Sequence, residues 1–300
     1  MSNSLSSGTL SSNYQVVLKR IREIPSLPDL ITQVLEAINR PVTPASEIAK
    51  LIAYDPGLTS KVLRMVNSAA YGFQRQISSI QHAIMILGFN TVRGLVLSAS
   101  IFKLFEGHTR PGGLNHTAFW EHSFATAIAA RMLAKALRIS DADDVFSAAI
   151  LHDIGKVVLD IYFERDYEKV LKVAETRGIV CHGIPFYQLE HELLGVTHCG
   201  IGHFLANKWK LPVAINEVIQ FHHEPEYAEH YKPLVYLVAL ANEMAVLKQE
   251  KAGVFDETHF TPELLAFFNV STEDLMGYTV LLNEELEHSG ALLDSMSSLS

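Results

Sequence analysis

The chain has 300 residues, of which 48% are hydrophobic, so it is long enough to bury a sizeable core in one large domain or two moderate ones. It contains no run of 18 or more apolar residues and no basic, apolar start, which argues against a membrane span and a secretory signal. Cys181 and Cys199 are the two cysteines; they suit a reducing compartment, and we expect a cytoplasmic protein.

The net charge of −9 is unevenly distributed. Residues 1–106 carry 10 Lys and Arg against 6 Asp and Glu, whereas residues 107–300 carry 14 against 27. The acidic second part argues against a nucleic-acid-binding surface there. The mildly basic first part favours an acidic partner, a contact with the acidic part, or ordinary surface variation.

Helix signals recur along the chain and period-two alternation is rare, so an all-α fold is predicted. Thr43-Pro44 and Thr261-Pro262 each place an N-cap before a proline, Ser271 with Asp274 opens the last helix, and Gly178 is typical of a helix end. The predicted helices span 14–23, 28–39, 44–53, 57–67, 79–87, 90–105, 115–138, 142–160, 164–177, 186–207, 212–221, 232–249, 261–268 and 271–288.

A break at Pro111-Gly112-Gly113 predicts a boundary between two helical subdomains, at about 107–114. The first subdomain is expected at 14–106 and the second at 115–288. Residues 1–13 are expected to be a disordered lead-in and residues 289–300 a mobile tail. Gly88 and Gly94 are interpreted as close-packing positions.

The segment Leu151–Lys156 carries the most informative residues, a His152-Asp153 pair followed by Lys156. A neutral imidazole beside a carboxylate can hold a divalent metal, and a nearby ammonium can steady a phosphate. His122 lies upstream, and His198 and His222-His223 lie downstream, all in apolar helical contexts. Each alone is explained as a core histidine, an ion pair or a helix end. Together they predict one shared polar site.

These residues resemble the HD superfamily of metal-dependent phosphohydrolases. The first part narrows the resemblance to the HDOD family through Ile24-Pro25-Ser26-Leu27-Pro28, Asp55-Pro56-Gly57-Leu58, Asn67–Gly72 and Ile77–Ile80 with Leu87-Gly88. The second part, about 115–245, follows the same family. The resemblance implies a bacterial, cytoplasmic, all-helical signalling module, with an HD-like helical bundle as the second subdomain.

The resemblance also implies a ligand set for divalent metal, one or two ions of Fe, Mn, Zn or Ni. His122, His152 and Asp153 would hold the first ion, and a second would be held by Asp153, His198, His222 and His223. Lys156 resembles the phosphate-contacting lysine of the HD-GYP branch, whose segment also reads His-Asp-Ile-Gly-Lys.

Three departures from the superfamily bear on activity. Its last ligand is an aspartate, whereas the matching position here is Asn242, a neutral and weaker oxygen ligand. The Gly-Tyr-Pro loop of the HD-GYP branch is missing after Glu224, which removes the strongest sequence reason to propose cyclic di-GMP hydrolysis. Ala118 stands where a carboxylate for a third ion would lie.

Three functions remain open. The preferred one is a regulatory module that binds a signalling protein partner and uses its HD-like site to hold metal. The alternative is a metal-dependent phosphohydrolase, with Asp153 and Lys156 as catalytic residues and a phosphate-containing small ligand. The third is a metal-free scaffold. Neither nucleic acid nor membrane is expected as a partner. Seven other histidines are interpreted as surface residues or satisfied partners: His82, His182, His191, His203, His230, His259 and His288.

Overall fold

The computed structural model describes residues 24, 26–38, 40, 43–67, 71, 73, 75–105, 107–139, 145–249 and 260–288. These residues form helices and turns without a strand, which confirms the all-α prediction. The predicted helix at 14–23 and the predicted tails at 1–13 and 289–300 lie outside the described residues. The helices are α1 (Asp29–Ile38), α2 (Ala45–Ala53), α3 (Pro56–Val66), α4 (Ile80–Leu104), α5 (His116–Ala136), α6 (Val145–Leu151), α7 (Ile154–Tyr162), α8 (Glu164–Arg177), α9 (Ile184–Leu194), α10 (His198–Lys208), α11 (Val213–Phe221), α12 (Lys232–Gln249), α13 (Pro262–Phe268) and α14 (Thr272–His288), with a 3-10 turn at Pro225–Tyr227.

Most of the predicted helix ends are found where the capping residues indicate them. Gly178 adopts a left-handed conformation with φ 67° after α8. Thr261 accepts a hydrogen bond from the backbone N–H of Leu264, and Ser271 and Asp274 cap each other reciprocally at the start of α14. The start of α2 differs by one residue, because Pro44 itself is the capping position.

Helix α4 consists of two helical parts that meet at a kink, in agreement with the two helices predicted at 79–87 and 90–105. Gly88 kinks it with φ 80°, and a Cβ on Gly88 would meet nothing within 4 Å. Gly88 therefore allows the positive φ that the kink requires, and its interpretation as a close-packing position was wrong. Gly94 fits that interpretation, since its Cβ would lie 1.6 Å from the Ser147 Oγ of α6.

The segment Ile80–Ile101 of α4 is long and apolar enough to cross a membrane by length and composition, with a mean hydropathy of 1.6. Most of it is buried inside the protein, because α4 packs against α1, α2, α3 and α6. Apolar helices of this kind are expected at the centre of a globular core.

The second group of helices is built around α5, which packs against α6, α12 and α14. Helix α7 packs against α10, and α11 packs against both α6 and α10. Two helices predicted as continuous, at 142–160 and 186–207, are each interrupted. The first breaks at His152-Asp153, and the second breaks at Gly195, which has φ 71°. Both breaks place candidate site residues at helix ends.

The irregular stretch predicted at 107–114 is anchored to α7 by Asp160. The buried Asp160 carboxylate accepts hydrogen bonds from the Arg110 guanidinium at 2.9 Å and from the backbone N–H of Leu114 at 3.0 Å. His116, at the start of α5, lies 3.3 Å from the other carboxylate oxygen. The connection is thus bound to the helical bundle, and the division into two subdomains stays a prediction.

The contact between α4 and α6 predicts opposite effects for two glycine-to-alanine substitutions. Gly94→Ala is expected to lower the free energy of unfolding by about 1–3 kcal/mol, because the new methyl group overlaps Ser147. Gly277→Ala in α14 meets nothing within 4 Å and is expected to raise stability by up to about 1 kcal/mol. Ser147→Gly should restore part of the loss. Urea denaturation measures all three, and equal behaviour of the two alanine variants would contradict the contact.

The start of α3 predicts an acid-dependent contribution to stability. The Asp55 carboxylate accepts a hydrogen bond from the Leu58 N–H and pairs with Lys103 at 2.7 Å, and Lys103 lowers the pKa of Asp55 below its usual 3.8. A depressed carboxyl pKa stabilises the fold above the unfolded pKa, and this contribution is lost as pH falls through the folded pKa.

Asp55→Asn keeps a good N-cap but removes the charge. We expect a loss below about 1 kcal/mol at pH 7, because the pair is partly exposed. The difference from wild type should shrink below about pH 5 and vanish below the folded pKa. Urea denaturation at intervals between pH 3 and 7 measures it. A difference that grows toward acid pH would be inconsistent with the depressed pKa.

Candidate metal centre

The structure brings the seven predicted ligand residues together in one buried cluster. His122 comes from α5, His152-Asp153 from the break between α6 and α7, and His198 from the first residue of α10. His222-His223 follow α11, and Asn242 comes from α12. Their side chains are all less than one-tenth exposed. The Asp153 carboxylate lies at the centre, and its two oxygens have different surroundings.

The Oδ2 atom of Asp153 accepts a hydrogen bond from an ammonium and lies near two histidine nitrogens. Lys156 Nζ lies 2.5 Å away, His182 Nδ1 lies 3.1 Å away and His152 Nε2 lies 3.3 Å away. Lys156 also contacts His182 Nδ1 at 3.3 Å. This oxygen therefore has a hydrogen-bonded cation beside it.

The Oδ1 atom of Asp153 accepts no well-formed hydrogen bond from the part of the chain that the structure describes. His198 Nε2 lies 3.1 Å from it and His222 Nε2 lies 3.5 Å from it, and these two nitrogens are 3.3 Å apart. Both ring nitrogens of the adjacent His223 also lack a hydrogen-bond partner among the described residues. A buried carboxylate oxygen without a donor is costly unless a cation is near it.

The other ring nitrogens of these histidines establish where the lone pairs point. His198 Nδ1 lies 2.6 Å from Glu190 Oε2, and His222 Nδ1 lies 3.0 Å from the Val218 carbonyl. Since each of these partners is an acceptor, each Nδ1 carries the proton. In the neutral imidazoles the Nε2 lone pairs therefore face Asp153 Oδ1. Three acceptor atoms converge at 3.1–3.5 Å, as metal ligands do.

The side of Asp153 that carries Oδ2 also includes His122, His152 and Asn242. The Asn242 Oδ1 atom lies 2.9 Å from His122 Nε2 and 3.2 Å from His152 Nε2. His152 Nδ1 lies 2.6 Å from the Ala149 carbonyl in the last turn of α6 and so caps the end of that helix. Asn242 thus lies beside two of the predicted ligand imidazoles, and its role as a ligand stays a prediction.

Glycines allow helices α7 and α10, which carry Asp153 and His198, to pack very closely. A Cβ on Gly155 would lie 1.9 Å from the His198 carbonyl oxygen, and a Cβ on Gly202 would lie 2.6 Å from Ile219 Cγ2. Gly155 lies two residues after Asp153 in α7, and Gly202 lies one turn after His198 in α10. Any larger residue at Gly155 would separate the carboxylate from the His198 imidazole.

His182 was interpreted from the sequence as a surface residue or satisfied partner, whereas the structure buries it in the site. Its ring stacks on that of His122 with 3.6 Å between centroids. It precedes Gly183, whose φ of 80° turns the chain into α9. No motif spacing indicated that His182 belongs to the site. The available signal was its place directly before a glycine and close to the start of a helix.

Glu190 is the second site residue that sequence reasoning missed. It is fully buried in α9 and accepts hydrogen bonds from the His198 backbone N–H at 2.8 Å and from the Tyr167 hydroxyl at 3.2 Å. A continuous helix at 186–207 would keep Glu190 and His198 about two turns apart. The turn at Gly195 folds the chain so that the carboxylate reaches the imidazole.

The pKa values of the buried histidines are shifted in two directions. Burial and neighbouring positive groups lower the pKa of His122 and His223 well below 6.5, and they lower that of His182 to about 3. Burial also opposes charge on His198 and His222, but nearby Cys199 and carboxylates raise the pKa of His198 well above 6.5 and that of His222 to about 9. Positive charge, from a proton or a metal ion, is therefore favoured at the two imidazoles nearest Asp153 Oδ1 but not at His223.

A cavity of about 370 Å³ opens onto His222 and His223. Glu226, Glu243 and Glu263 are among its lining residues, and the described lining includes no lysine or arginine. Lys156 lies outside this lining and is fully buried. The cavity therefore presents carboxylates to an approaching ligand, which disfavours a free phosphate group.

The HDOD domain model matches residues 24–225, about two thirds of the sequence. The chain belongs to the HDOD family. The match covers the residues on both sides of Asp153 except Asn242, which lies beyond its end.

One sequence relative and two solved structures are similar to this HDOD protein. An uncharacterised protein of Treponema pallidum is 28% identical over 265 residues, which are 88% of this chain and 49% of that protein, so the chain spans about half the length of this curated relative. An HDOD domain protein of unknown function from Geobacter sulfurreducens has a TM-score of 0.73 and 25% identity, over 94% of this chain and 99% of that one. A Shewanella amazonensis protein, provisionally named a phosphohydrolase, has a TM-score of 0.71 and 25% identity, over 95% and 98%.

The buried position of Glu190 predicts that its charge supports the site. Glu190→Gln keeps the shape but weakens the bonds to His198, so we expect a loss of about 1–3 kcal/mol in the free energy of unfolding. Glu192→Gln on the same helix removes only an exposed ion pair with Arg177 and should cost less than about 1 kcal/mol. Urea denaturation compares the two. A Glu190 variant as stable as the Glu192 variant would show that His198 needs no charged partner.

Proposed function

We propose that this HDOD protein is a regulatory signalling module that acts through a protein partner and uses its buried histidine cluster to hold divalent metal. Membership of the HDOD family supports the regulatory part. The observation that carries the metal part is the convergence of the His198 and His222 lone pairs on the donor-free Asp153 Oδ1.

The donor set fits a divalent ion of the first transition series. Imidazole nitrogens suit Zn, Fe and Ni, and a carboxylate oxygen adds a charged ligand that Mn and Fe accept well. Glu190 orients His198 from behind, as outer carboxylates do at many metal sites. His122, His152 and Asn242 offer further donor atoms on the opposite side of Asp153.

The rival function is metal-dependent phosphohydrolysis, which the provisional name of the Shewanella amazonensis protein favours. A bound ion would supply a Lewis acid and an activated water. In this chain, however, the residues suited to phosphate are poorly placed. Lys156 is bound to Asp153 and His182, and glutamates line the cavity. Asn242 replaces a charged ligand, so we rank regulation above catalysis.

Metal content and turnover of the full chain test this proposal together. Protein purified without added metal is expected to retain a transition metal by elemental analysis, and Asp153→Ala should lose it while keeping its helical circular dichroism. Asp166→Ala, an exposed control, should retain the metal. With added Mn or Fe, hydrolysis of a panel of phosphodiesters and nucleotides should be no faster for wild type than for Asp153→Ala.

Two outcomes would overturn the proposal in different ways. Metal-dependent turnover that Asp153→Ala abolishes, with the fold intact, would establish the phosphohydrolase. Wild-type protein that holds no metal, even after exposure to Zn, Mn, Fe or Ni, would leave the metal-free scaffold as the remaining function.

A further inference from the structure

The two sides of Asp153 differ in their hydrogen-bond donors, and this difference determines how many ions can bind. We call the residues around Oδ1 the open half: His198, His222 and His223. We call the residues around Oδ2 the closed half: His122, His152, Asn242, Lys156 and His182. The closed half contains hydrogen-bond donors of its own. The open half, among the described residues, presents acceptors to Oδ1.

The open half has the dimensions of one ion. Two ligand atoms at 2.0–2.1 Å from a tetrahedral ion are roughly 3.3 Å apart. The three separations among Asp153 Oδ1, His198 Nε2 and His222 Nε2 are 3.1, 3.3 and 3.5 Å. His223, with two unpartnered ring nitrogens, offers a donor atom within 4.8 Å of those of His198 and His222.

The closed half contains a cation of its own. The Lys156 ammonium donates to Asp153 Oδ2 at 2.5 Å and reaches His182 Nδ1 at 3.3 Å. The Asn242 amide lies within 3.2 Å of His122 Nε2 and His152 Nε2. The Asn242 NH₂ group donates to Glu243 at 3.3 Å, so the amide oxygen faces the two imidazoles. A second ion would have to displace the Lys156 ammonium from Asp153 Oδ2.

The net charge of the cluster also favours one ion over two. Asp153, Glu190 and Glu243 bring three negative charges to the buried cluster, and Lys156 brings one positive charge. One dication would leave the cluster neutral. Two dications would leave two positive charges in a buried site, and uncompensated buried charge is very costly.

We propose that the cluster holds one divalent ion, in the open half, and that the Lys156 ammonium takes the place of a second ion in the closed half. This inference rests on the proposed metal binding and narrows it to a mononuclear centre held by His198, His222, His223 and Asp153. It also gives Lys156 a structural role in place of the phosphate contact that the resemblance implied.

Titration of the full chain with Co²⁺ tests the assignment, with visible absorption and the metal content after gel filtration as readouts. Wild type should bind one ion per chain. His122→Ala in the closed half should still bind one, whereas His198→Ala in the open half should lose the ion or bind it at least tenfold more weakly. His191→Ala, on the exposed face of α9, controls for surface binding. Circular dichroism checks that each variant is folded.

A double variant tests the role of Lys156. Lys156→Met with Asn242→Asp removes the internal cation and adds a carboxylate, so the metal content should rise toward two ions per chain. A folded double variant that still binds one ion would overturn that role. If the double variant does not fold, the two histidine variants decide the location of the ion.

Three results would overturn the assignment itself. Two ions in wild type, with one lost in each histidine variant, would establish a dinuclear centre. An ion lost in His122→Ala and kept in His198→Ala would move the site to the closed half. Wild type that binds no Co²⁺ and no Zn²⁺ would instead remove the metal binding on which the inference rests.

Discussion

The constraint on which the rest of this structure depends is the burial of one carboxylate, that of Asp153. Removing such a group from water is expensive, and the cost is offset only when charge and hydrogen bonds surround it. Burial by itself would raise the pKa of Asp153, yet His152, Lys156 and His198 hold it well below 3.8. The helices that enclose the site are therefore arranged to present imidazoles and an ammonium at one point.

That arrangement requires helices to end at unusual places and to approach very closely. Residues in the middle of a helix point outward from its axis, whereas residues at a helix end can be directed at a neighbouring element. His152-Asp153 lie between α6 and α7, His198 begins α10, and His222-His223 follow α11. The glycine contact between α7 and α10 then allows the Asp153 and His198 side chains to meet. Packing and site chemistry thus depend on the same few positions.

The elements that could be predicted from the sequence are those set by local chemistry. Helix α8 and the capped starts of α13 and α14 follow from Gly178, Thr261 and Ser271, whose effects act within one turn. The site histidines could be predicted because their residue types are rare together and their order matches a family. The domain boundary and the roles assigned to individual ligands remain predictions.

The elements that could not be predicted are those set by contacts between distant segments. The two glycines of α4 look alike in sequence, yet Gly88 adopts a positive φ and Gly94 packs on Ser147. His182 and Glu190 lie 29 and 37 residues after Asp153, and only the fold brings them to the cluster. The burial of Lys156 against Asp153 also depends on the neighbouring helices, so its spacing alone indicated a phosphate contact.

The two halves of the cluster differ in their access to the cavity. The closed half is sealed inside the bundle, with Lys156 fully buried, while the open half includes His222 and His223, which line the cavity. An ion there would be reached through an opening lined by glutamates, and such an opening attracts cations and repels anions. The same field that assists delivery of a metal ion opposes entry of a phosphoester. The proposed metal binding and the proposed lack of phosphohydrolase activity are therefore physically compatible.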